Sequence, residues 1–300
     1  MKSQLPLSIG VSFPSVELGA APPELIRDFA VGVQIVGYQH VLVLDHVVGA
    51  DPTARRGWRS LANPFDALTL LAFLAGLADL ELCISVRVLP QRPTAIVAKQ
   101  AAEVDLLSGG RLRLAVGVGW NELEYRALGQ SFHARCARLE AQIALLRDLW
   151  TRSSDAKAHI DAEDFDGVGI SPLPVQRRIP IWLGGGTSPK VLRRIGRFAD
   201  GWIPMVTPGP TLAAAWDLVG DAAQRAGRQR SQLGLQGTVF TRNGMSRMID
   251  HLRKWVDAGA THVAISTAGA GLSPAEHVTV LVDAHSHVLD ALKAEVGVYG

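Results

Sequence analysis

Two places in this 300-residue chain set reactive side chains where chemistry could use them. Asp45 and His46 directly follow the apolar run at residues 40–44. A neutral imidazole titrates near physiological pH and an adjacent carboxylate can orient it, so the pair suits a general acid or base. The same two residues could equally open a loop and satisfy backbone groups there. The second place is Gly184-Gly185-Gly186-Thr187-Ser188, followed by Pro189. Backbone N–H groups of a glycine turn and of a helix N-terminus, beside two hydroxyls, would cradle a phosphate. A tight strand-to-helix turn with a serine cap would use the same residue types. Gly117-Val118-Gly119-Trp120-Asn121 is a weaker signal, in which two glycines one apart let the backbone approach a flat ring or a phosphate.

Other side chains point away from chemistry. His285 and His287 stand two apart on an expected helix, so they face different directions and no metal site is expected. Cys83 and Cys136 are distant and lack a C-x-x-C neighbour, which reads as buried thiols rather than a disulfide or zinc site. With 30 Lys and Arg against 28 Asp and Glu, the net charge of +2 gives no electrostatic case for a nucleic-acid partner. Arg135, Arg138 and Arg147 lie off the apolar stripe of their helix and read as a solvated or salt-bridged face. At 48% hydrophobic and 19% charged, the chain is outside the composition of disordered proteins. The longest apolar run, residues 67–78, falls short of the roughly 18 residues that span a bilayer. A soluble, cytoplasmic protein without a membrane partner is expected.

The elements that must position these residues alternate. Strands are predicted at 7–11, 40–44, 80–88, 112–116, 180–183, 201–204, 233–240 and 262–265. Helices are predicted from Pro22-Pro23-Glu24 to near Gly37, from an Asn63-Pro64 cap to about Leu77, and at 94–107, 132–150, 189–198, 212–226 and 244–258, with a last one from Pro274. Eight alternations without a linker predict an α/β chain folded as a single (β/α)8 TIM barrel, because a parallel sheet must bury both faces and closure removes its edges. An open doubly wound sheet is the competing architecture. Residues 151–179 are polar and Pro-rich, and an insertion forming a lid with a small hairpin is predicted there. The loop at 47–59, with Arg55, Arg56, Trp58 and Arg59, is expected over the barrel mouth, where it either anchors an acidic cofactor tail or substrate or is a plain solvated loop.

Leu89-Pro90-Gln91-Arg92, Ala98-Lys99-Gln100-Ala101-Ala102, Leu107-Ser108-Gly109-Gly110-Arg111, Gly117-Val118-Gly119-Trp120-Asn121-Glu122 and Glu124-Tyr125 together resemble the bacterial luciferase-like superfamily. More narrowly they resemble its actinobacterial branch that uses coenzyme F420, a deazaflavin. Ile181-Trp182-Leu183-Gly184-Gly185-Gly186 and Ala199-Asp200-Gly201-Trp202 continue the match over essentially the whole chain. The resemblance implies a (β/α)8 barrel, often as a homodimer, that moves a hydride between C5 of the deazaflavin and a small organic substrate. It implies that Asp45 and His46 lie at the ring, with His46 handling a proton, and that Gly117, Val118, Gly119 and Asn121 line the cofactor. Ser85 and Val86 match a bulge that carries a non-proline cis peptide behind the ring. Gly184, Gly185, Gly186, Thr187 and Ser188 match the turn that holds the cofactor phosphate. Sugar-phosphate dehydrogenases of the superfamily carry Trp where this chain has Ala50 and a catalytic Glu where it has Trp120, which argues against that activity. Two alternatives remain: a monooxygenase that uses FMN and O2, and a cofactor-binding protein without turnover.

Overall fold

The structure, a computed structural model, describes residues 7–19, 21–48, 65–151, 158–160, 163–165 and 169–296. The elements run β1 (Ser8–Ser12), α1 (Ser15–Leu18), α2 (Pro23–Val36), β2 (His40–Val43), α3 (Ala67–Ala75), β3 (Glu81–Val88), α4 (Thr94–Leu107), β4 (Leu112–Gly117), α5 (Glu122–Ala127) and α6 (Arg135–Thr151). They continue β5 (Ala158–Ile160), β6 (Glu163–Phe165), β7 (Ile181–Gly185), α7 (Pro189–Phe198), β8 (Gly201–Pro204), α8 (Pro210–Arg225), β9 (Gly234–Phe240), α9 (Met245–Asp257), β10 (His262–Ser266) and α10 (Glu276–Val296). Strands β1, β2, β3, β4, β7, β8, β9 and β10 close into a parallel barrel, with β1 pairing both β2 and β10. The open doubly wound sheet is thereby excluded. The antiparallel pair β5 and β6 is the hairpin expected in the insertion.

Local chemistry explains most element ends. Helix α2 starts with Pro23 in its first turn and stops at Gly37, whose left-handed backbone (φ 106°) sends its N–H back to the Gln34 and Val33 carbonyls. Helix α3 is capped by Asp66, whose side chain accepts the Thr69 N–H at 3.1 Å, so its start lies after the predicted Asn63-Pro64. That dipeptide, Ala50 and the arginines of the 47–59 loop are outside the described residues. Helix α6 begins at Arg135 rather than Phe132, because Phe132 turns back onto Tyr125 (ring centroids 5.4 Å apart) and is covered by the Arg135 guanidinium at 3.7 Å. Leu139, Ile143, Leu146 and Trp150 of the predicted stripe are buried, whereas Cys136 is half-buried rather than fully so.

Two cores result. The larger fills the space between the barrel wall and the helices, with Val41, Leu82, Leu114 and Ile181 packed in one cluster with Phe29, Leu71, Ile143 and Leu146. The smaller lies inside the barrel and takes one residue from each of six strands: Leu42, Cys83, Ala115, Trp182, Ile203 and Ala264, with Val86 against it. Burial pushes the Cys83 thiol up to about 12, so it is an inert core residue. Among the described residues no helix is long and apolar enough to cross a membrane.

The end of the barrel where the strands begin is closed by a polar plug. Arg113 lies over the Trp182 ring at 4.3 Å and donates to both Glu81 oxygens at 2.9 Å. His40, fully buried, shares a 2.9 Å hydrogen bond with Ser8 and packs edge-on against His262, which comes within 3.8 Å of Glu81. Burial and the Arg113 charge push both imidazoles down, His262 to about 3. In the unfolded chain a histidine titrates near 6.5, so the unfolded state binds more protons below that pH and the fold loses stability there. Unfolding free energy is therefore expected to hold above pH of about 6.5 and to decline as pH falls from there towards 3. In His262→Asn the decline should be shallower, as read from denaturant midpoints at successive pH values. An unchanged slope in that variant would contradict the assignment.

Candidate active site

At the opposite end, where the strands finish, the chain leaves β2 through Leu44, Asp45 and His46. The two neighbours part company. Asp45 is buried and its Oδ1 accepts from Arg92 Nη2 at 2.8 Å, with Arg87 Nη1 at 3.6 Å. Arg87 in turn reaches Asp66, the α3 cap, at 3.4 Å. Burial pushes the Asp45 carboxyl above its ordinary range even though both guanidiniums pull it down. An ion pair this deep gains little over an apolar pair of the same shape, but it fixes geometry, tying the β2 exit to β3 and α3.

His46 therefore takes its carboxylate from elsewhere. Its Nδ1 faces Glu124 Oε2 at 3.5 Å, and Glu124 is almost fully buried. The same carboxylate accepts the Val47 N–H at 2.7 Å and the Gln91 amide at 3.0 Å. Burial pushes Glu124 up, but these contacts outweigh it and hold the group down at about 2. It is a fixed anion across the working pH range. His46 Nε2 has no hydrogen-bond partner among the described residues, and the side chain keeps 17% exposure. That combination leaves one ring nitrogen anchored and the other available.

Glu124 and its partners Gln91, Arg92 and Arg87 were not visible as site residues in the sequence. Asn121 and Glu124 carry the spacing of a helix-capping pair, and Asn121 does cap α5, its Oδ1 accepting the Glu124 N–H at 3.1 Å. Nothing local says that the Glu124 side chain crosses to a loop 77 residues away instead of turning back to the cap. The Asn121 acceptor, expected to line a cofactor, is used by that cap.

The expected bulge is present. The register of β3 against β4 shifts between Ile84 and Arg87, and the Ser85–Val86 peptide is cis. Val86 then enters the space beside Gly117 and Gly184: a Cβ on Gly117 would lie 3.0 Å from Val86 Cγ2, and one on Gly184 2.5 Å from Val86 Cγ1. These two glycines make room for the bulge. Gly184 and Gly185 also belong to β7 rather than to a turn, which corrects the reading of a free triple-glycine loop. Gly186 alone of the three has open space where a side chain would go. Thr187 and Ser188 follow, and Ser188 holds the cap position of α7 without a side-chain capping bond. Its hydroxyl and the first N–H groups of α7 remain for a ligand. Gly119 has a positive φ of 64°, Val118 gives its carbonyl to the Tyr125 hydroxyl at 2.7 Å, and Trp120 is 59% exposed at the rim.

Paired substitutions separate these roles. Gly184→Ala is expected to destabilise the fold by about 1–3 kcal/mol through overpacking against Val86. Gly186→Ala should stay within about 0.5 kcal/mol. Thermal midpoints of the two variants check the contrast, and equal midpoints would contradict it.

Comparison with known proteins bears on the fold and the family. An uncharacterised protein of Mycobacterium tuberculosis is 34% identical over 171 residues, 56% of this chain and 56% of that protein. A phthiodiolone/phenolphthiodiolone dimycocerosates ketoreductase of Mycobacterium kansasii is 29% identical over 228 residues, 69% of this chain and 60% of the relative. The chain thus matches little more than half the length of these relatives. Among solved structures, an F420-dependent secondary alcohol dehydrogenase in complex with an F420-acetone adduct superposes with a TM-score of 0.75 at 16% identity, covering 94% of this chain and 99% of that one. The FMN-bound oxygenating constituent of 3,6-diketocamphane monooxygenase from Pseudomonas putida superposes with a TM-score of 0.71 at 13% identity, covering 94% and 98%. At such identities the likeness shows the shared barrel alone. The model of the luciferase-like monooxygenase family matches residues 8–288, and the chain belongs to that family of oxidoreductases.

Proposed function

We propose that this protein is a coenzyme F420-dependent oxidoreductase that interconverts a carbonyl compound and an alcohol. The observation that carries the reading is His46, with Nδ1 held by a buried, permanently ionised Glu124 and Nε2 left without a partner at the strand ends. Such an imidazole can give and take one proton repeatedly without moving. The resemblance to the deazaflavin branch and the ketoreductase relative support the same reading.

The residues present fit a deazaflavin. Gly186 has open space, the Ser188 hydroxyl is not used in capping, and the inner wall near the bulge is built from the small residues Cys83, Ala115 and Ala264 beside Val86. Gly186, Thr187, Ser188 and the start of α7 would hold the phosphate, and Val86 with Gly117 would back the ring. When bound and reduced, the cofactor supplies a hydride from C5. His46 Nε2 donates a proton to the carbonyl oxygen as the carbonyl carbon receives the hydride, so C=O becomes CH–OH and the imidazole is left neutral. Glu124 stabilises the imidazolium before transfer, and the Arg92–Asp45 pair keeps the loop that carries His46 in place. The reverse direction runs through the same atoms.

The test is anaerobic consumption of reduced F420 with a panel of ketones, followed by the visible absorbance of the oxidised cofactor and by detection of the alcohol. Turnover without O2 is the expected result. Turnover only with reduced FMN and O2 would overturn the reading in favour of a flavin monooxygenase, and tight cofactor binding with no substrate ever reoxidising it would indicate a binding protein.

A further inference from the structure

Helix α7 carries four cations, Lys190, Arg193, Arg194 and Arg197, and no acidic residue. Beside it an open groove of about 650 Å³ runs between α6, α7 and the end of α8, floored by Phe198, Ala222 and Ala226. Five cations line it, the four of α7 and Arg225, against one carboxylate, Glu140. That carboxylate is already used by Arg194, Nε to Oε1 at 2.8 Å, and Arg225 faces Asp221 at 3.8 Å. Lys190, Arg193 and Arg197 have no ion pair among the described residues. The whole chain has a net charge of only +2, so this concentration is local rather than a general basicity.

We propose that the groove binds an extended oligocarboxylate, the acidic glutamyl tail of the cofactor, continuing from the phosphate subsite at Gly186 to Ser188. The inference rests on the deazaflavin reading above and adds the residues that would choose among tail lengths. Position is the first argument. Lys190 lies two residues beyond Ser188, so the groove opens where a phosphate seated at the α7 N-terminus would hand on to the rest of its chain. Spacing is the second. Lys190, Arg193 and Arg197 follow one another at intervals of three and four, which places them on one exposed helix face. From first to last they rise about 10 Å, the reach of roughly three extended residues. Charge is the third. A solvated helix face normally alternates signs, whereas this one offers cations alone. The arginines predicted for the same task at 55–59 are outside the described residues, and the α7 face provides such a path without them.

Each exposed carboxylate–cation contact is weak, so the effect is cumulative and sensitive to salt. The experiment titrates the whole protein, by fluorescence, with oxidised deazaflavins that share ring and phosphate but carry either no glutamate or several. It compares the wild type with the triple variant Lys190→Gln, Arg193→Gln, Arg197→Gln. The wild type should bind the long-tailed form about tenfold more tightly than the tail-less one, and the triple variant should lose that difference while binding the tail-less form as before. Raising salt should erase the difference as well. Equal binding of both forms by the wild type, or a tail advantage that persists in the variant, would overturn the proposal while leaving the cofactor reading intact. Failure of every form to bind would overturn both.

Discussion

Asp45→Ala is expected to cost about 3–5 kcal/mol of stability, because it strips the counter-charge from buried Arg92 and leaves buried Arg87 with Asp66 alone, rather than removing a whole ion pair. Arg87 and Arg92 would then face each other across the vacated site with no carboxylate between them. For a chain of this size that corresponds to a fall of roughly 5–8 °C in the thermal midpoint. Asp45→Asn keeps the shape and one acceptor, so it should fall between wild type and alanine. Thermal unfolding of the three proteins measures the order directly. A midpoint for Asp45→Ala within a degree or two of wild type would show that the Arg87–Asp45–Arg92 network does not organise the β2 exit.

His46→Ala should leave the fold intact and lower kcat by about 10²–10⁴, the range for loss of a positioned proton donor. Affinity for the cofactor should change little, since the proposed phosphate subsite follows β7, three strands round the barrel from β2. Glu124→Gln is the more discriminating companion. Its single amide oxygen can still accept the Val47 N–H, while an NH2 replaces the oxygen that accepts from Gln91 and faces His46, so the charge is removed and the Gln91 amide must turn to accept instead of donate. An imidazolium facing an amide is held less tightly than one facing a carboxylate, so the pH–rate profile of this variant should move towards lower pH while kcat at its own optimum recovers part of the loss. A variant whose rate falls without any shift in profile would mark Glu124 as a structural clamp only.

The barrel itself was legible in the sequence because its signals are local. The stretches 94–107, 189–198 and 201–204 coincide with α4, α7 and β8, each bounded by Pro, Gly or Ser at a position where those residues have a specific backbone task. The cap of α3 was misplaced because Asn63-Pro64 and Asp66 stand within four residues and both are cap-type signals, and it is Asp66 that accepts the Thr69 N–H. The candidate site was half legible. His46 and the glycines could be picked out by type and spacing, and Ser85 and Val86 through the family resemblance, but the partners that decide what His46 can do could not. Glu124 meets Val47 across 77 residues, Arg92 meets Asp45 across 47, and Gln91 meets Glu124 across 33. Adjacency in sequence suggested that Asp45 orients His46. In three dimensions alternation along the chain sends the two side chains in different directions, and a residue that looked like half of a helix cap supplies the carboxylate instead.

Specificity for the deazaflavin ring is the claim on which the proton role of His46, the α7 groove and the hydride reading all depend. Parallel fluorescence titrations of the purified protein with coenzyme F420 and with FMN, in one buffer and at one salt concentration, test it most directly. Micromolar or tighter binding of F420 with distinctly weaker binding of FMN is the predicted result. The opposite preference would contradict the account and make this barrel an oxygen-using flavin enzyme.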